Sequence, residues 1–273
     1  MNIRTDLIAE QQTSCKNINI NAKQEKIGLA TLDTVIIDNQ VLSKEFQKPM
    51  GRYCTVSFPR LYTVCDTDDI IKATVRAFKS VSPVGAETVL VVGLGNCDIT
   101  PDALGPLVCG RVLATRHLSN NLKQSIGLEK LNSVCCITPG VLGKTGIESY
   151  DIIKAATTTV KPDIIIAVDA LACRSAERLC RTIQLSDSGI SPGAGVNNSR
   201  RELSHDTVGV PVIAVGVPTV IDANSFFDKS DDNMMVTPKE IDLLIEKSAD
   251  IISRAINIFL QPSLDISIIE SLT

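Results

Sequence analysis

Asp163-Ile164-Ile165-Ile166-Ala167-Val168-Asp169 is an unbroken apolar run with a carboxylate at each end. A run this short, rich in β-branched residues, reads as a strand buried on both faces, as in a parallel sheet covered by helices. Thr88-Val-Leu-Val-Val-Gly-Leu-Gly95 repeats the pattern earlier in the chain. An aspartate follows each run: Asp169 closes one, and Asp102 follows the other across a short loop. Reactive groups of open parallel sheets gather at the carboxyl ends of strands. The two carboxylates are therefore expected to face one pocket, and acid/base hydrolysis is the chemistry they suggest.

The surrounding sequence continues the alternation. Further strands are expected at residues 133–138, 182–186 and 211–217, and helices at 66–81, 102–118 and 150–160, with a short one at 176–181. In the first helix Asp66 is a suitable N-cap, and Ile70, Ile71, Val75 and Phe78 recur at helical spacing. Parallel neighbours need crossover connections, so the pattern predicts an α/β three-layer sandwich: a mostly parallel sheet, mixed at its edge, with helices on both faces. Residues 32–38 and 53–58 are expected to form an edge hairpin around a turn region at Lys48-Pro-Met-Gly51. A last helix should open at Thr237-Pro-Lys-Glu240, with Thr237 as N-cap, Pro238 at the first helical position and Glu240 completing a capping box, and run to about 259. Residues 224–235, with Asp228, Asp231 and Asp232, read as a solvated loop. Residues 1–28 are polar and aperiodic and are expected to be a mobile arm, leaving 29–273 as one α/β domain.

Composition sets limits on function. With 273 residues, 44% of them hydrophobic, the chain can bury a stable core without metals or disulfides. A net charge of -4 gives no general attraction to nucleic acid. No stretch approaches the roughly 18 apolar residues of a membrane span. The opening Met-Asn-Ile-Arg-Thr-Asp lacks the apolar centre of a secretory signal, so a cytoplasmic protein is expected. Nine cysteines, two of them adjacent at Cys135 and Cys136 and none in a Cys-x-x-Cys, point to reduced and mostly buried thiols. With 3% aromatic residues and no Trp, the core must be built from Ile, Val, Leu and Ala.

Each motif also has a plainer reading. Gly93-Leu-Gly95-Asn96 begins like a dinucleotide fingerprint, but Asp98 stands where the third glycine belongs and would repel a phosphate. Asp102 also suits a helix N-terminus. Asp169 could be a structural carboxylate held by neighbouring amides or by Arg174. Ser204, His205 and Asp206 have the residue types of a triad but are consecutive, so their side chains diverge. His117, beside Arg116, is ordinary near a helix C-terminus. Two lone histidines and scattered thiols make no metal spacing, although two carboxylates with water can hold a divalent ion. The glycine-rich stretch at 189–198 is either the wall of a peptide groove or a surface connection. No cofactor is called for.

Taken in order, several segments resemble the germination proteases of spore-forming bacteria. They are Leu90-Val-Val-Gly-Leu-Gly-Asn96, Thr100-Pro-Asp-Ala-Leu-Gly-Pro106, Thr115-Arg-His-Leu118, Thr145-Gly-Ile-Glu148, Ala167-Val-Asp-Ala-Leu-Ala172, Ile183-Gln-Leu-Ser-Asp-Ser-Gly-Ile190, Pro211-Val-Ile-Ala-Val-Gly-Val-Pro-Thr219 and Val236-Thr-Pro-Lys-Glu240. The resemblance covers most of the chain from about residue 88 onward, together with the arm. It implies an endopeptidase of small acid-soluble spore proteins, acting in the spore cytoplasm, with a fold similar to that of hydrogenase-maturation endopeptidases. It carries the family's two essential aspartates onto Asp102 and Asp169. It also implies a zymogen that removes its own N-terminal peptide, and Arg4-Thr-Asp-Leu-Ile-Ala-Glu10 looks like the processing site, with the cut between Asp6 and Leu7. A homo-oligomer is implied, a tetramer among the forms open to it. Longer relatives carry a large insertion between Pro218-Thr-Val220 and the last helix, and this chain lacks it.

The expected mechanism is an aspartate pair that shares a proton and activates water, with no metal or cofactor. The alternatives are a metal-assisted hydrolase using the same carboxylates, or a non-catalytic α/β module that binds a peptide or nucleotide.

Overall fold

The structure, a computed structural model, describes residues 5–14, 21–83, 85–125, 128–193, 200–225 and 234–272. Its strands are β1 (Asn21–Ile27), β2 (Ala30–Ile37), β3 (Gly51–Ser57), β4 (Thr88–Gly93), β5 (Ser133–Ile137), β6 (Ile164–Cys173), β7 (Thr182–Ser186), β8 (Val212–Asp222) and β9 (Met235–Val236). Its helices are α1 (Ile8–Ser14), α2 (Gln40–Phe46), α3 (Asp68–Val81), α4 (Leu104–Cys109), α5 (Asn120–Ser125), α6 (Leu142–Thr145), α7 (Ser149–Val160), α8 (His205–Val208), α9 (Ile241–Leu260) and α10 (Ile266–Leu272). The strands join in one mixed sheet, ordered β1-β2-β3-β7-β8-β6-β4-β5, with β9 beside β8. Strands β5, β4, β6 and β8 run parallel, and the remaining pairings are antiparallel.

Side-chain alternation separates the two cores. Val89 and Val91 of β4 and Ile164, Ile166 and Val168 of β6 face α3, α4 and α9, while Leu90, Val92, Ile165 and Ala167 face α7 and α8. On the larger side α3 buries Ile70, Ile71 and Phe78, and Phe78 stacks on Phe259 at 5.2 Å between ring centroids. Each such side chain contributes roughly 1.5–3 kcal/mol by leaving water. On the opposite side, α1 and α2 pack Ile8, Leu42 and Phe46 over Val35, Ile37 and Tyr53. The three-layer α/β architecture expected from the alternating runs is present, and its antiparallel part extends well beyond an edge.

Several elements differ from expectation for local reasons. Within the stretch expected to be a mobile arm, Asn21–Ile27 is an edge strand, polar because most of it meets water, and residues 5–10 are docked against the sheet. Residues 39–46 hold a helix, capped by Asn39, between the strands of the expected hairpin. The long helix from 102 to 118 is only a 3-10 turn over residues 100–102 followed by α4, which ends at Gly110, so His117 is on no helix. Residues 176–181 make successive turns with i to i−3 bonds rather than a helix. Asp66 accepts from the Asp68 amide, one step ahead of the N-cap at Thr67. Thr237 donates its hydroxyl to the Thr219 carbonyl of β8 instead of capping, and α9 starts four residues later. Asp228, Asp231 and Asp232 lie outside the described residues.

Candidate active site

Asp169 sits inside β6, not at its end, because Ala170-Leu-Ala-Cys173 continues the strand along β8, with a shift of register between Leu171 and Ala172. Its side chain projects on the α7 face, in line with Ile165 and Ala167, and the residue is 6% exposed. Asp102 reaches the same place by a different route. The chain leaves β4, turns at Gly95 with φ +110°, and returns through the 3-10 turn that carries the aspartate. A Cβ at Gly95 would lie 2.1 Å from the Asp102 carbonyl oxygen, so only glycine lets the two segments meet. The Asn96 amide bonds that carbonyl at 3.0 Å. The glycines that resemble a nucleotide fingerprint thus serve to place Asp102.

Both carboxylates line a cavity of about 400 Å³ together with Arg200, Thr219, Ile99 and Asp6. Asp6 comes from the N-terminal segment, which lies along β6. The Asp6 amide donates to the Ala172 carbonyl at 3.0 Å, and the Ala172 amide donates to Asp6 Oδ2 at 2.8 Å. Leu7, fully buried, packs on Leu171, Cys173 and Ile221. Gln184 bonds the Asp6 carbonyl and the Ile8 amide. Further on, Glu10 accepts from the amides of Arg174 and Ser175 at 2.8 and 2.9 Å. Asp6, Asp102 and Asp169 thus line one cavity, and Leu7 is buried next to Asp6 outside its lining.

Electrostatics in the cavity favour protonated acids. Burial, followed by the nearby Asp102 charge, holds Asp169 well above the ordinary carboxylate range, against one bond from the Ala170 amide at 2.9 Å. Asp102 is raised by partial burial and held back by the Asn96 amide and by Arg200. Asp6 is raised by burial, with the Ala172 amide and Lys48 opposing. Arg200, which also pairs with Glu148 at 3.8 Å, is the cation that lowers both Asp102 and Asp169. Replacing it, as in Arg200→Met, is expected to raise both carboxyls further, which carboxyl-carbon NMR titration reads directly. Unmoved titrations would show that Arg200 does not act on the pair.

Other candidate residues serve local structure. Of the two structural partners considered for Asp169, a neighbouring amide, that of Ala170, bonds it, while Arg174 meets Glu10 through its backbone. His205 is exposed beside Asp206, and the Ser204 amide is tied to the Thr207 hydroxyl, so no triad forms. Asp98 pairs with Lys144 on the rim. Of the glycine-rich loop, Pro192 and Gly193 line the cavity and 194–199 lie outside the described residues. Among the described residues no group of three or more His, Cys, Asp or Glu is placed to hold a metal, and no helix is long and apolar enough to cross a membrane. Arg200 and Gln184 escaped sequence reasoning. The signal for Gln184 was the polar alternation Thr182, Gln184, Ser186 in an otherwise buried strand.

The family model described as germination protease matches residues 2–232. A germination protease of Clostridium tetani is 39% identical, over 99% of both chains, and one from Clostridium perfringens is 37% identical over 96% of both. The Clostridium tetani alignment spans 321 positions, more than the 273 residues here, so that relative carries insertions absent from this chain. A [NiFe] hydrogenase maturation protease, HycI, from Thermococcus kodakarensis superposes with a TM-score of 0.37 at 17% identity, covering 63% of this chain and 94% of its own, a likeness too distant to argue from. A family match over most of the chain and full-length relatives near 40% identity place it among the peptidases: the chain belongs to the germination protease family.

Proposed function

We propose that this chain is an endopeptidase that begins the breakdown of small acid-soluble spore proteins in the spore cytoplasm at germination. On this reading it is made as a zymogen, cuts itself between Asp6 and Leu7, and hydrolyses through Asp102 and Asp169. One observation carries the reading: Asp6, from the chain's own N-terminal segment, lines the cavity that both aspartates line, and its backbone is paired to β6 at Ala172 as a bound substrate's would be.

The environments divide the roles. Asp169, buried beside two other carboxylates, keeps the shared proton. Asp102, more open and supported by Arg200, takes a proton from water. The resulting hydroxide adds to the Asp6 carbonyl carbon. As the C–N bond breaks, Asp169 passes its proton to the Leu7 nitrogen. The pair ends with its protonation reversed and resets by exchange with solvent.

The pH dependence has a definite sign. Asp6 and Asp169 are raised above 3.8, so the docked, reactive arrangement holds protons that a free carboxyl would release. Docking and the acid role both weaken as pH rises through those raised values, and the base role fails once Asp102 is protonated at lower pH. Incubated full-length protein is therefore expected to acquire a Leu7 terminus fastest under mildly acidic conditions, read by N-terminal sequencing across pH. No Leu7 terminus at any pH would end the reading.

A further inference from the structure

Gln184 lies mid-strand in β7, in register with Gly216 of β8, which is itself in register with Asp169 of β6. Residues in register across a sheet share a face, so the three form one row on the face that receives the N-terminal segment. The middle position has no side chain. A Cβ on Gly216 would lie 2.5 Å from Leu171 Cγ, so the glycine makes room for the Leu171 side chain, and Asp6, Leu171, Gln184 and Gly216 line one groove.

In this groove the Gln184 side chain makes two bonds to the backbone of a segment more than 170 residues away. Its Nε2 donates to the Asp6 carbonyl oxygen at 2.9 Å, and its Oε1 accepts from the Ile8 amide at 2.7 Å. A carbonyl only accepts and an N–H only donates, which fixes the orientation of the amide. One planar side chain thus holds the backbone on both sides of the Asp6–Leu7 bond and ignores the side chains between. Gln184 is 9% exposed with the segment in place, so both bonds are made largely out of water. The Asn96 amide, another donor near the pair, is engaged by the Asp102 carbonyl.

We infer that Gln184 is a catalytic residue that clamps the backbone of any peptide in this groove and donates to the scissile carbonyl oxygen as negative charge develops there. The inference rests on the reading that Asp6–Leu7 is the bond cut. A donor aimed at that oxygen acts without regard to sequence, and removing one such donor slows acyl transfer by about 10²–10³-fold.

Two measurements test it in the full chain. Gln184→Ala, and Gln184→Met, which keeps the stem, are expected to slow formation of the Leu7 terminus about 100-fold. The same variants in an Asp169→Asn background, where the arm stays uncut, are expected to speed hydrogen exchange at the Ile8 amide at least tenfold, while amides of the β4–β6 core keep their protection. Unchanged Ile8 exchange would overturn the clamp. Faster exchange with wild-type processing would overturn the catalytic role. A wild-type chain that never yields Leu7 would overturn the cleavage reading and the catalytic role together, while exchange still judges the clamp.

Discussion

Asp169→Asn is expected to abolish self-processing: wild-type chains acquire a Leu7 terminus and the variant does not, a loss on the order of 10⁴-fold. Asparagine keeps the size of the side chain, and its oxygen can still accept from the Ala170 amide. It has no proton to give the leaving nitrogen. The fold should benefit. Because the folded-state pKa of Asp169 lies well above 3.8, wild-type stability is greatest when this carboxyl is protonated and declines as pH rises from the unfolded value through the folded one. The asparagine variant escapes that decline, so its melting temperature should exceed that of the wild type by a margin that grows with pH over the window. Asp102→Asn should be equally inactive for lack of a base. It should also lower the Asp169 titration, because the repulsion from Asp102 is removed. Near-normal processing by either variant, mapped by mass spectrometry of intact chains, would remove the aspartate pair from the mechanism.

How much of this site could be read from sequence depended on the range of the interactions that built it. The runs at 88–95 and 163–169 are local signals, and they form neighbouring strands, β4 leading into the turn that carries Asp102 and β6 carrying Asp169 itself. The continuation of β6 past Asp169 was also written in the chain, since Ala170-Leu-Ala-Cys173 resumes the apolar pattern, but a charge in a strand reads as a stop. The N-terminal segment failed differently. Nothing local in Thr5-Asp-Leu-Ile8 specifies a dock, because its partners are Ala172, Gln184, Leu171 and Ile221, all far along the chain. Asn21–Ile27 reads as coil by composition and becomes a strand because Thr31–Ile36 offer it a ladder. Arg200 follows the glycine-rich stretch and gains meaning only once that loop brings it to the carboxylates.

Leu7→Ala is expected to move two rates in opposite directions. Leu7 is fully buried against Leu171, Cys173 and Ile221, and trimming such a side chain costs about 2–5 kcal/mol. The loss falls on docking rather than on the whole fold, because the rest of the arm has its own anchors: Ile8 in the α2 core and Glu10 on the amides of Arg174 and Ser175. Even the smaller figure shifts the docked population roughly 30-fold at 1.4 kcal/mol per tenfold. The residues ahead of α1 should then leave the groove, so an external protease digests them sooner and the chain cuts itself more slowly. An added peptide should be hydrolysed faster, since the aspartate pair and Gln184 are no longer covered by the chain's own backbone. If the arm of Leu7→Ala resists digestion as well as that of the wild type, apolar burial is not what holds it. If digestion speeds up while cleavage of added peptide stays flat, the segment occupies the cavity without blocking it.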